Sequence, residues 1–82
     1  MDTNARAASA TQDALARVRE ELKGTLCEHM GMDVLSLTAS TAHLSMPVAP
    51  NRQPQGSLHG GASIALAETA ISLAARAHAE CL

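Results

Sequence analysis

Phenylalanine, tyrosine and tryptophan are all absent from this chain of 82 residues. The large rings that usually dominate core burial are missing, and so is any aromatic platform on which bases could stack. Basic clusters are missing as well. Six lysines and arginines are scattered among eight acidic residues, for a net charge of −2, which predicts neither a nucleic-acid nor a membrane partner. No apolar run reaches membrane-spanning length, and Met1 to Ala10 contain no apolar core of the kind that a signal peptide carries. The only cysteines, Cys27 and Cys81, are isolated thiols, with neither a disulfide framework nor a zinc spacing. These absences predict a soluble protein of the reducing cytoplasm. No histidine pair stands at a ligand-like spacing from a carboxylate or cysteine, so no metal is predicted, and no cofactor is implied.

A chain this short is one domain at most, and marginal on its own. Seventeen alanines bury little area each. The composition therefore predicts that the chain needs a partner or belongs to something longer. Residues 1–10 are small and polar and read as a flexible N-terminus, with the domain portion running over 11–82. Thr11 or Asp13 can cap a helix through about Lys23, with Leu15, Val18 and Leu22 on one face. A short helical turn follows from Thr25 to His29. Met32 to Leu37 and Thr41 to Val48 read as strands, joined by a turn that carries no Asn-Gly or Gly-Gly signal. Asn51 to Leu58 is loop, broken by Pro54 and Gly56. From Gly60 to Ala79 there is no breaker, which predicts about 30 Å of helix.

That last helix holds the most informative residues. Glu68 is its one carboxylate in an alanine-rich apolar run, and a buried charge needs a partner or a task. His59, Gly60 and Gly61 form the turn into the helix, and a glycine turn there leaves N–H groups pointing outward. Gln53 stands six residues before His59. Glu68 shares its helical face with Gly61, Ile64, Ala65, Ile71, Ser72 and Ala75, while Leu66, Ala70, Leu73 and Ala77 line the opposite sector. Both sectors read as buried, which predicts a helix wrapped by other structure. His59 and Glu68 face opposite sides of one helix and converge only if His59 lies in the preceding turn. Taken alone, Glu68 reads equally well as a partly exposed helix residue, His59 as a helix cap and Gln53 as a solvated loop amide. His29, His43 and His78 read as ordinary histidines and the two cysteines as small inert hydrophobes.

The order strand, strand, Gln53-Pro54-Gln55-Gly56 loop, His59-Gly60-Gly61-Ala62-Ser63 turn and apolar helix with Glu68 resembles the hotdog-fold acyl-CoA thioesterases. The similarity is to the branch of 4-hydroxybenzoyl-CoA, dihydroxynaphthoyl-CoA and enterobactin proofreading thioesterases, over roughly Thr25 to Ala79. The resemblance implies an α+β fold: a long central helix wrapped by an antiparallel sheet, in a homodimer or homotetramer with sites at the dimer interface. It implies that Glu68 is the catalytic carboxylate, as nucleophile or as base on water. It implies that the Gly60 N–H, helped by the Gln53 amide, polarises a thioester carbonyl of an acyl-CoA or acyl-carrier substrate, while His59 orders the turn. Gly61 and Ser72 would line the substrate site, and Gln55 stands where several relatives have an apolar residue. A complete hotdog subunit continues with further strands after the helix, so the chain resembles the N-terminal half of such an enzyme. The rival readings are a non-catalytic hotdog remnant that pairs with a full-length subunit and a small helical interaction module.

Overall fold

Leu15, Val18 and Leu22 recur at helical spacing, and the computed structural model places them on a first helix, α1, at Thr3–Glu21 and the turn that follows it. The structure describes residues 3–80, and side chains from Gln12 onward; Cys81 lies outside them. α1 begins at Thr3 rather than near Thr11. Four alanines and no glycine or proline lie between Thr3 and Thr11, and alanine is the strongest helix former. Lys23 and Gly24 close the helix in a turn, and a single helical turn, α2, follows at Leu26–His29.

Strands β1 (Asp33–Leu37) and β2 (Ala42–Ser45) pair antiparallel. Their register carries a bulge: Val34 faces Leu44, but Ser36 faces His43, leaving Leu35 as the extra residue. Strict alternation would send Val34 and Leu37 to opposite faces. The bulge shifts the phase by one, so both turn inward while Leu35 is left exposed. The hairpin closes without glycine because threonine supplies the turn. The Thr38 hydroxyl accepts from the N–H groups of Ser40 (3.1 Å) and Thr41 (3.0 Å), and the Thr38 N–H donates to the Thr41 carbonyl at 2.8 Å. β2 ends at Ser45, earlier than the Val48 expected, before Met46 and Pro47, where proline offers no N–H to a ladder. A 3₁₀ turn at Ala49–Asn51 leads into the 52–58 loop, and the last helix, α3, spans Gly60–Ala79, the range its sequence predicts.

Val18 of α1, Val34 and Leu37 of β1 and Ala77 of α3 make the core, with Leu15, Leu22, Ala42, Leu44 and Leu73 packed round them. Two ion pairs run along the seam between the helices, Arg17 with Glu80 and Glu21 with Arg76, each at 2.9 Å. Because the first members ascend while the second descend, α1 and α3 are antiparallel. These exposed pairs each contribute only about 0.2–1 kcal/mol, and their value is in fixing orientation. The result is α+β: a two-stranded antiparallel sheet with its apolar side against two helices.

Gly31 joins α2 to β1 with φ of +79°. A Cβ there would lie 2.8 Å from Cγ of Pro47, so the end of α2 and the chain leaving β2 touch at a point where no side chain fits. Gly24 has a similar φ of +75° but open space around it. Gly24→Ala should therefore cost about 1 kcal/mol of stability from backbone strain alone, and Gly31→Ala about 2–3 kcal/mol, because the rigid Pro47 ring must also move. Urea denaturation of both variants in the full-length protein checks this. Equal losses would mean that the contact with Pro47 is not tight.

Candidate active site at the start of the last helix

The 52–58 loop is tied to itself before it reaches α3. Arg52 and Leu58 form one antiparallel bridge. Within it the Gln53 N–H donates to the Ser57 carbonyl, and the Gly56 N–H donates to the Gln53 carbonyl, both at 2.8 Å. The Gln53 side chain joins this closure, its Nε2 donating to Ser57 Oγ at 2.6 Å. An amide nitrogen carries two hydrogens, so one remains for another acceptor. Gln55 is exposed on the same loop. The loop thus holds Gln53 half-buried, six residues ahead of the helix start, as a clamped amide.

His59 lies in the turn and caps α3. Its Nδ1 accepts from the Gly61 N–H at 2.9 Å, which places the ring proton on Nε2 in this geometry. Its carbonyl accepts from Ala62 at 3.0 Å and Ser63 at 3.2 Å. Of the amides at the start of α3, that of Gly60 takes part in no hydrogen bond among the described residues. The two glycines differ in their surroundings. A Cβ on Gly61 would stand 3.0 Å from His59 Nδ1, whereas one on Gly60 would meet nothing within 4 Å. One bare donor therefore stands at the positive end of a twenty-residue helix, on a residue with open space beside its α-carbon.

Glu68 is exposed, not buried, and has no ion-pair partner among the described residues. Its neighbours one turn to either side, Ile64 and Ile71, are 71% and 69% exposed. Ser72, also one turn past Glu68, is exposed too. The expectation of a helix wrapped on all sides is thus corrected. Ala62 and Ala77 are buried and Leu66, Ala70 and Leu73 half-buried, so the opposite sector packs as expected, while nothing among the described residues covers Glu68 and its isoleucine neighbours. The structure also does not bring Glu68 to Gly60. Eight residues of helix separate them by about 12 Å, and N–H groups at a helix start point away from the helix body. Gln53, His59, Gly60 and Gly61 are gathered at one end, and Glu68 and Ser72 lie along the open face.

Farther along that face, Ala39, Ser40, Ile71, Ala74, Ala75 and His78 line an open cleft of about 580 Å³, where His78 Nδ1 donates to the Ala39 carbonyl at 3.0 Å. Cys27 is half-buried, its Sγ 3.8 Å from the Thr69 hydroxyl. The residue that sequence reading missed is Asn51, which is 8% exposed. It read as the first residue of a loop, and no periodicity or motif marks it.

No family model and no solved structure matches the chain. Curated proteins do. The chain is 50% identical over 52 residues to "Proofreading thioesterase EntH" of Cronobacter turicensis, covering 62% of this chain and 38% of that protein. It is 44% identical over 61 residues to the protein of the same name from Klebsiella pneumoniae, covering 73% of this chain and 44% of that one. To "Putative esterase ComA2" of Bacillus subtilis it is 47% identical over 57 residues, covering 68% and 45%. The chain spans less than half the length of these relatives. Over the portion they share, this chain belongs to a family of esterases and thioesterases.

Proposed function

We propose that this chain carries the catalytic helix of a hotdog-type thioesterase that hydrolyses acyl thioesters of coenzyme A or of a carrier protein. The observation that carries the reading is the Gly60 N–H at the start of α3, which makes no hydrogen bond among the described residues and belongs to a residue with open space beside its α-carbon. A thioester oxygen seated there accepts from that N–H and from the remaining hydrogen of the Gln53 amide. Glu68 then acts in one of two ways, and both require its carboxylate. As a base, it takes a proton from water while the water oxygen bonds to the carbonyl carbon. As a nucleophile, it bonds to that carbon itself, and water later opens the mixed anhydride. In each case the carbonyl electrons move onto oxygen, where the Gly60 and Gln53 donors hold the negative charge. The C–S bond breaks as the carbonyl re-forms, and the thiolate leaves and takes up a proton.

The separation of Gly60 from Glu68 makes this a two-chain site. A carbonyl in front of one protomer's Gly60 lies beyond the reach of that protomer's Glu68. A second copy packed across the open face supplies its own Glu68 instead. The two exposed isoleucines favour such packing, since burying each stabilises the pair by about 1.5–3 kcal/mol. The assembly is a homodimer, or a homotetramer built from two such pairs, with Gly61 and Ser72 along the thioester and Gln55 beside the acyl group.

In the full-length protein, Glu68→Gln and Glu68→Ala should abolish nearly all turnover of a panel of acyl-CoAs while substrate still binds. Gly60→Val should be as damaging, because a branched side chain crowds the helix start where the thioester oxygen approaches the N–H. Gln53→Ala removes one donor and leaves another, so its loss should stay within about 10²–10³. Steady-state kinetics measure all of these, and near wild-type turnover by Glu68→Gln sinks the reading.

Mixing separates one chain from two. Gly60→Val and Glu68→Gln, each inactive alone, should recover activity when unfolded and refolded together. A mixed dimer holds one site with both groups intact, so random pairing restores about a quarter of wild-type turnover. No recovery would place both groups of each site on a single chain.

A further inference from the structure

Asn51 is the one buried polar residue among those described. Both hydrogens of its side-chain amide are engaged, donating to the carbonyls of Met30 at 2.7 Å and Pro47 at 2.8 Å. Its backbone is engaged as well. The N–H donates to the Val48 carbonyl at 2.8 Å, and the carbonyl accepts from the His59 N–H at 2.7 Å. One residue therefore fastens the end of α2, the chain leaving β2 and the residue ahead of Gly60. The contact of Gly31 with Pro47 lies in the same place.

The bond to His59 bears on the chemistry. The His59–Gly60 peptide carries the bare Gly60 N–H, and its direction is fixed by how His59 is held. His59 has two anchors: its ring on the Gly61 N–H and its own N–H on the Asn51 carbonyl. The first is local to the turn and turns with it. The second ties the turn to the body of the protein through the buried amide. A donor aimed at a developing oxyanion acts through its placement, and a shift of about 1 Å can cost on the order of 10²-fold in rate.

We propose that Asn51 is a positioning residue of the thioester site: it touches no substrate, but its amide and carbonyl together aim the Gly60 N–H. This rests on the reading of Gly60 as the oxyanion donor. Asn51→Asp keeps the shape and reverses the sign, because a carboxylate placed against two carbonyl oxygens donates to neither. In the full-length protein, kcat should fall by about 10- to 100-fold with KM changed less than about threefold, since the donor acts mainly in the transition state. The ratio of variant to wild-type kcat should rise toward acid pH, as the introduced carboxyl gains a proton and can donate to one carbonyl. In the amide NMR spectrum the Gly60 resonance should move, and the His59 N–H should exchange faster.

Leu37→Ala serves as the control. It weakens the core elsewhere and should lower the unfolding midpoint while leaving kcat and the Gly60 resonance in place. Should Asn51→Asp not fold, Asn51→Ser keeps one donor and carries the same test with a smaller fall in kcat. A folded Asn51 variant with unchanged kcat, or with only KM raised, overturns the positioning role, whereas Glu68→Gln remains inactive if the site itself is rightly placed. If Glu68→Gln is active, the site and the positioning role fall together.

Discussion

Two carbonyl oxygens that belong to different parts of the chain, Met30 and Pro47, end on one side-chain nitrogen. The rest of the structure is arranged round that junction because the core alone is thin. With no phenylalanine, tyrosine or tryptophan, the packed cluster consists of a valine and leucine pair from β1, one valine from α1 and Ala77 of α3. That cluster meets α3 only at Leu73 and Ala77, near its C-terminal end. At the other end of the helix Ala62 is buried as well, and hydrogen bonds through His59 and Asn51 hold the turn. Apolar packing is tolerant of small displacements, whereas a bond to an amide hydrogen is directional. The end of the helix that presents a donor is thus the end held by directional contacts.

α3 has two faces that differ in size as well as in burial. Its inner sector is built of alanine and leucine, so the helix lies close to the hairpin. Its outer sector sets Glu68 between two isoleucines that are each about 70% exposed. Large exposed apolar side chains on both sides of a carboxylate, in a chain with so few large side chains, mark a surface that meets something else. In the proposed function a second copy would meet that face and place a carboxylate where one chain cannot. The same face continues into the cleft near His78.

Much of the backbone was legible in the sequence because it depends on local signals. The absence of breakers between Gly60 and Ala79 gave the helix its limits, and Gly60 and Gly61 marked its start. The position of His59 in the turn followed from the same glycines. What escaped reading depends on distant residues. The bulge at Leu35 reverses the phase of β1, and only contact with β2 and the helices decides which of its residues turn inward. Asn51 gains its role from Met30 and Pro47, which no spacing links to it. The burial expected for Glu68 followed from composition, which reports how apolar a helix is but not whether this chain supplies its cover. α1 began earlier than expected because its alanines were weighed as small residues rather than as helix formers.

Gly60 and Gly61 look alike in the sequence and have different physical causes. At Gly61 a Cβ would stand 3.0 Å from Nδ1 of the His59 ring that caps the helix, so the ring would have to give way by a few tenths of an ångström. At Gly60 the space is open, and the fold would accept alanine there. Glycine in a helix costs about 0.5–1 kcal/mol relative to alanine, so its presence at Gly60 is a small loss of stability that the chain's own contacts leave unexplained. The close approach of a thioester oxygen to the Gly60 N–H, as proposed above, would supply the reason. A side chain there would narrow the space beside the donor through which the proposed substrate approaches. Of the two glycines, the one with open space beside it is the one that carries the proposed oxyanion donor.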